Sequence, residues 1–130
     1  MAIPSGSGTE VLNRTTIHAL NTTATSFRWD GTNATTGTAT YAVPANHIIT
    51  VINIVFAENA AAVNEYIQLY VNDGSNDIFL SSGIHLPKAR DVFIWNDRIV
   101  LRPADKLIVD SASSAMDIDC YCSFIDQDWS

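Results

Sequence analysis

Closely spaced carboxylates are the first candidates for chemistry in this chain. Asp117 with Asp119, and Asp126 with Asp128, stand two residues apart, a spacing that could pair an acid with a base or share a cation. On a strand, residues at that spacing line one face, and a solvated face is the expectation here. Asp73-Gly74-Ser75-Asn76-Asp77 is rich in oxygen ligands, yet it lacks the twelve-residue spacing and closing Glu of a calcium loop, so it reads as a hairpin tip. Cys120 and Cys122 would point to one face of a strand about 7 Å apart, too far for a disulfide, and read as buried free thiols. His18, His47 and His85 fall in separate segments, where only the fold could gather them around a metal. The chain has no Gly-x-Ser-x-Gly elbow and no evident Ser, His and acid set. Three glycosylation-type triplets, starting at Asn13, Asn21 and Asn33, are what a Thr-rich stretch yields by chance. We therefore expect no catalytic residue, no metal ligand and no cofactor, and expect the chain not to be an enzyme.

Positioning falls to strands. Met116, Ile118, Cys120, Cys122 and Phe124 alternate with mostly polar neighbours, the period of a strand with one dry face. Ile67, Leu69 and Val71 alternate with Tyr66, Gln68 and Tyr70; the 72–76 turn follows and Ile78, Phe79 and Leu80 resume, which predicts a hairpin. Ile48 to Phe56 is apolar at both parities and rich in β-branched residues, so it predicts a central strand covered on both sides. Shorter strands are expected at Val92 to Trp95, Ile99 to Leu101 and Leu107 to Val109, and weaker ones at Glu10 to Ile17, Thr25 to Trp29 and Ala39 to Val43. Ala57 to Val63 is expected to be a loop with a short helical turn. Residues 21 to 40, dominated by Asn, Thr, Gly and Ala, predict a long loop or a hairpin pair. The fold class is thus all-β, an antiparallel β-sandwich or jelly roll of about eight or nine strands with an extended N-terminal arm.

The 130 residues suffice for one core. The expected division is an arm at residues 1–12 and a sandwich domain at 13–130. Fourteen acids against seven bases give a formal charge of -7, a field that repels phosphate backbones, so nucleic acid is not an expected partner. Only 16% of residues are charged while 47% are hydrophobic, a balance that suggests part of the surface is covered by other protein. The apolar run from Ile48 to Ala57 is far shorter than the roughly 20 residues that cross a bilayer, so no membrane association is expected. Met1-Ala2-Ile3-Pro4 lacks the start of a secretory signal, which predicts synthesis in a cytoplasm.

The Ile3-Pro4-Ser5-Gly6-Ser7-Gly8 leader buries little, while ordering it costs about 1 to 2 kcal/mol per residue. Two accounts follow: it lies on a neighbouring subunit through Ile3, Pro4, Val11 and Leu12, or it packs back along its own sandwich. Trp129, near the other end, is a second candidate interface residue, docking on a partner or on its own domain. Trp29 and Trp95 are expected in the core.

The opening Ile3-Pro-Ser-Gly-Ser-Gly-Thr-Glu-Val-Leu-Asn-Arg14, the Val43-Pro-Ala-Asn-His-Ile-Ile-Thr-Val-Ile-Asn-Ile54 segment, the Leu101-Arg-Pro-Ala-Asp-Lys-Leu-Ile-Val109 turn and the closing Ser123-Phe-Ile-Asp-Gln-Asp-Trp129 resemble small structural proteins of tailed bacteriophage virions. Where those proteins often carry Gly before the Asp of the late turn, this chain has Ala104, which leaves the geometry of that turn open. The resemblance implies a β-sandwich accessory protein, trimeric, whose partners are the major capsid protein and copies of itself. It implies a capsid decoration (cement) protein on the outer surface of the head, with a tail, neck or baseplate component as the alternative. Surface Tyr and Trp beside Asp and Asn also leave room for a host-glycan-binding module.

Overall fold

The computed structural model describes residues 9–59, 65–86, 91–112 and 117–129. Among them lie nine strands and no helix: β1 (Thr9–Leu20), β2 (Thr25–Ser26), β3 (His47–Glu58), β4 (Glu65–Asn72), β5 (Asp77–Leu86), β6 (Val92–Trp95), β7 (Ile99–Leu101), β8 (Lys106–Ser111) and β9 (Ile118–Asp128). They form two antiparallel sheets, the larger in the order β1-β9-β3-β6 with β7 also on β3, the smaller in the order β2-β8-β4-β5. The expected all-β sandwich is what the chain forms.

Alternation places the core. On β9, Ile118, Cys120, Cys122 and Phe124 are buried, and Tyr121 between them is exposed. They meet Ile49, Val51, Ile54 and Phe56 of β3 and, across the sandwich, Ile67 and Leu69 of β4 and Leu107 and Val109 of β8. Phe27 and Trp29 fill one end although only Thr25–Ser26 of the expected Thr25 to Trp29 strand pairs in a ladder. Trp29 stands edge-on to Phe124, with ring centroids 5.0 Å apart, a geometry aromatic quadrupoles favour. Trp95 is half-buried against the same cluster.

Ala39 to Val43 is not a strand. Its backbone groups find single partners instead of a ladder: Tyr41 N–H donates to Ser26 Oγ, Val43 N–H to the Asp105 carbonyl, and the Val43 carbonyl accepts from Ala104. Residues 27–46 thus form a long connection that satisfies itself against its surroundings, as buried backbone must. Part of it closes the outer edge of β1, where Ala34 N–H donates to the Thr16 carbonyl at 2.9 Å and Thr15 Oγ1 to that of Thr32. A covered edge cannot template pairing with another chain.

The late turn has a defined form. Asp105 N–H closes on the Arg102 carbonyl at 3.1 Å, and Ala104 adopts a φ of 75°. Pro at the second position and positive φ at the third make a type II turn, which favours Gly where this chain has Ala104.

β1 is described from Thr9, so residues 9–12 of the expected arm are strand residues paired with β9: Thr9 with Asp128, Val11 with Asp126, Leu12 with Ile125. Residues 1–8, including Ile3 and Pro4, lie outside the described residues, as do residues 60–64 of the expected helical turn; Ala57 and Glu58 belong to β3.

Candidate protein interface

None of the candidate chemical residues converges on a reactive centre among the described residues. At the hairpin tip, Asp73 Oδ1 accepts from the N–H groups of Asn76 (2.8 Å) and Ser75 (3.0 Å), bonds that hold its carboxyl below the usual range. This is turn chemistry, and Gly74 supplies the positive φ it needs. Cys120 and Cys122 are free and buried, and burial pushes both thiols far above their ordinary range.

Two histidines find carboxylates, which the sequence left unassigned. His18 Nδ1 lies 2.8 Å from Asp119 Oδ1, although 101 residues separate them. His47 Nδ1 lies 2.7 Å from Asp126 Oδ1, and its Nε2 is 3.6 Å from Asp128 Oδ2. Asp126 therefore does not line a solvent face: its side chain is 18% exposed, and it ties the end of β9 to the start of β3. No set of three or more His, Cys, Asp and Glu among the described residues is arranged to hold a metal ion.

The feature that sequence reading missed is a face. On the outer side of the larger sheet, antiparallel register aligns side chains in rows across the strands. One row runs Leu12, Ile125, Thr50, Val100; a second runs Arg14, Ser123, Asn53; a third runs Thr16, Tyr121, Val55, Ile94. A fourth brings Asp119, Ala57 and Val92 together. Leu12, Val92, Ile94, Val100 and Tyr121 are 48 to 72% exposed, whereas their strand neighbours Ile99, Leu101, Cys120 and Cys122 face the core. Hollows of about 310 Å³ and 490 Å³ flank Tyr121, one bordered by His18 and Ala57, the other by Leu12 and Asn53. Scattered exposed aliphatic residues are ordinary, but two exposed, largely apolar rows on one sheet face, parted here by the Arg14, Ser123, Asn53 row, mark a candidate binding surface.

β3 is central, as its composition predicts, but among the described residues it is covered on one side only. Ile49, Val51, Ile54 and Phe56 are fully buried, while Ile48, Ile52 and Val55 on the outer side remain half-exposed. The sequence encodes an apolar environment on both faces, and the described residues provide one.

Of the interface candidates, Leu12 lies in this face at 72% exposure, and Val11, half-exposed, points to the opposite side of β1. Trp129 is half-buried, its backbone N–H donating to the Asn46 carbonyl at 3.1 Å.

No family model and no curated protein matches this chain. Solved structures similar to it include a chain of the disulfide-linked pili formed by Bacillus endospore appendages (12% identity, 100% of this chain and 97% of that one, TM-score 0.45). They also include a chain of the acid-stable capsid of Helicobacter pylori bacteriophage KHP30 (5%, 91% and 86%, 0.47). A third belongs to the extra small virus particle of the prawn Macrobrachium rosenbergii (8%, 100% and 85%, 0.48). Every TM-score lies below 0.5, and none of these likenesses bears on what this chain does.

Proposed function

We propose that this protein is a structural component of a virus particle, and that its task is to decorate the capsid, binding the outer head surface and reinforcing contacts between capsid subunits. The observation that carries the proposal is the open apolar face of the larger sheet, beside an absence of convergent reactive groups among the described residues. A surface of that kind works by being covered with protein. The resemblance of the residue 3–14, 43–54, 101–109 and 123–129 segments to tailed-phage accessory proteins supplies the setting. Many modest contacts repeated over a shell add up to a large resistance to rupture, so a small domain without chemistry suffices.

The test is quantitative gel analysis of purified particles. Hundreds of copies per particle support head decoration; six, twelve or a few dozen move the protein to neck or tail; absence from particles overturns the virion assignment.

A further inference from the structure

We infer that the open face of the larger sheet is a self-association surface, where two copies of this chain pack face to face about a two-fold axis running across the strands along the Arg14, Ser123, Asn53 row. The inference deepens the functional reading above, from which it takes only that the face is covered by protein.

The first support is the face's own pattern. A polar row (Arg14, Ser123, Asn53) lies between two largely apolar ones (Leu12, Ile125, Val100 and Tyr121, Val55, Ile94). Rotation by 180° about the middle row lays each apolar row on the other: Ile125 meets Tyr121 of the second copy, Val100 meets Ile94, and Thr50 meets Val55. The middle row then meets itself, Ser123 hydroxyl against hydroxyl and Asn53 amide against amide, while Arg14, at the β1 edge, is set beside its own counterpart with its guanidinium drawn toward Asn33 Oδ1 at 2.8 Å. An isologous contact requires a self-complementary surface; here the match is apolar where β9, β6 and β7 meet their counterparts and mixed at β1, where Leu12 meets Thr16. Tyr121 stands between two hollows, and the rotation carries it toward the Leu12 and Asn53 hollow of the second copy.

Charge is the second support. The chain carries a formal charge of -7, which opposes self-association wherever acids meet acids. On this face Glu10 and Asp119 are offset by Arg14 and, at the sheet margin, by Arg98, whose guanidinium donates to the Ile52 carbonyl at 3.0 Å. The excess acid lies elsewhere: Asp73 and Asp77 on the hairpin, Asp110 on the smaller sheet, Asp126 and Asp128 at the His47 end. The same rotation sets the Glu10, Gln127, Ile48 row against His18, Asp119 and Ala57, so that Glu10 faces a histidine and Gln127 a carboxylate.

Extent is the third. Four strands at about 4.8 Å and nine residues at about 3.3 Å give a footprint of roughly 570 Å² per copy, hence about 1,100 Å² between two, close to the lower bound of a specific interface. The pairing is therefore of modest affinity alone and is strengthened on a particle. Packing of two sheets through such faces is the ordinary aligned arrangement of β-layers, and it supplies the second cover that the composition of β3 calls for.

Sedimentation equilibrium on the full chain tests the inference. The expected result is a reversible species of twice 14.2 kDa at high micromolar concentration. Ile94→Asp and Tyr121→Asp should each raise the dissociation constant at least 10-fold, and Phe79→Asp, on the exposed side of the smaller sheet, should leave it unchanged; far-UV circular dichroism verifies folding of all three. Ser123→Cys provides a positive readout, since the axis brings this position against its own counterpart: mild oxidation should give a disulfide-linked dimer, with the buried Cys120 and Cys122 silent. A monomer throughout the concentration range, a trimer, or a dimer indifferent to Ile94→Asp and Tyr121→Asp would overturn it. A monomeric protein still found at hundreds of copies per particle refutes this pairing and leaves the decoration reading intact; a dimer missing from particles does the reverse.

Discussion

The backbone N–H of Ala19 donates to Asp119 Oδ1 at 3.0 Å, from a residue held at a φ of 55°. This bond pins the irregularity in β1 between Ile17 and Leu20, where the ladder with β9 shifts register. An alanine in the left-handed region costs roughly 1 kcal/mol or more, so the carboxylate that rewards the conformation is a determinant of local structure as well as of the outer face.

Asp119 makes stability depend on acid. Partial burial raises its pKa, but hydrogen bonds from the Ala19 N–H, Asn59 and His18 together outweigh this and leave it below the ordinary 3.8. A depressed native pKa contributes stability that is present above the unfolded value and is lost as pH falls through the native value. Asp119→Asn should therefore lower stability at pH 7 by about 1 kcal/mol, a figure reduced for the half-exposed carboxylate. The gap from wild type should close in acid, as pH falls through that lowered native value. Urea titrations at pH 7 and along the acid limb measure both.

Ala104→Gly should stabilise the protein by about 0.5 to 1 kcal/mol, because it relieves positive φ at the third position of the 102–105 turn by more than it loosens the unfolded chain. The expected rise in melting temperature is about 2 to 5 °C. An unchanged or lower melting temperature would mean that the turn is not strained at Ala104.

The two thiols should be silent in the native protein. Iodoacetamide at pH 8 should modify neither Cys120 nor Cys122 over hours and both within minutes in denaturant, because the reactive thiolate is suppressed by burial. Mass spectrometry of the alkylated chain reads the outcome.

Truncation separates leader from strand. Removing residues 1–8 keeps every described rung of β1, whereas removing 1–12 also deletes four ladder positions on β9 and should lower the melting temperature by several degrees relative to the shorter deletion. If the leader anchors the protein to capsids, both truncations lose head binding; retained binding by the shorter one would assign the anchor elsewhere.

Elements that alternate cleanly were readable in advance. β9 and the β4 and β5 hairpin follow from period two and from the Asn72 to Asn76 turn residues. Tyr41 and Val43 carry a similar local pattern but no ladder, since nothing in a strand's own residues says which backbone will lie beside it. The His18 to Asp119 and His47 to Asp126 pairs span 101 and 79 residues and depend on the β1-β9-β3 order, which no local spacing encodes. The outer face escaped notice for another reason. Val92, Ile94 and Val100 alternate with Phe93, Trp95, Ile99 and Leu101, so these short runs are apolar at both parities and read as interior.

Thr9 sits opposite Asp128, so the first described residue of β1 and the last of β9 lie at one corner. A tensile load shared by those two ends would peel the β1 and β9 ladder apart one rung at a time. The same load taken through the body of the sandwich would have to break many rungs together, which makes its mechanical toughness a matter of where the tether is attached.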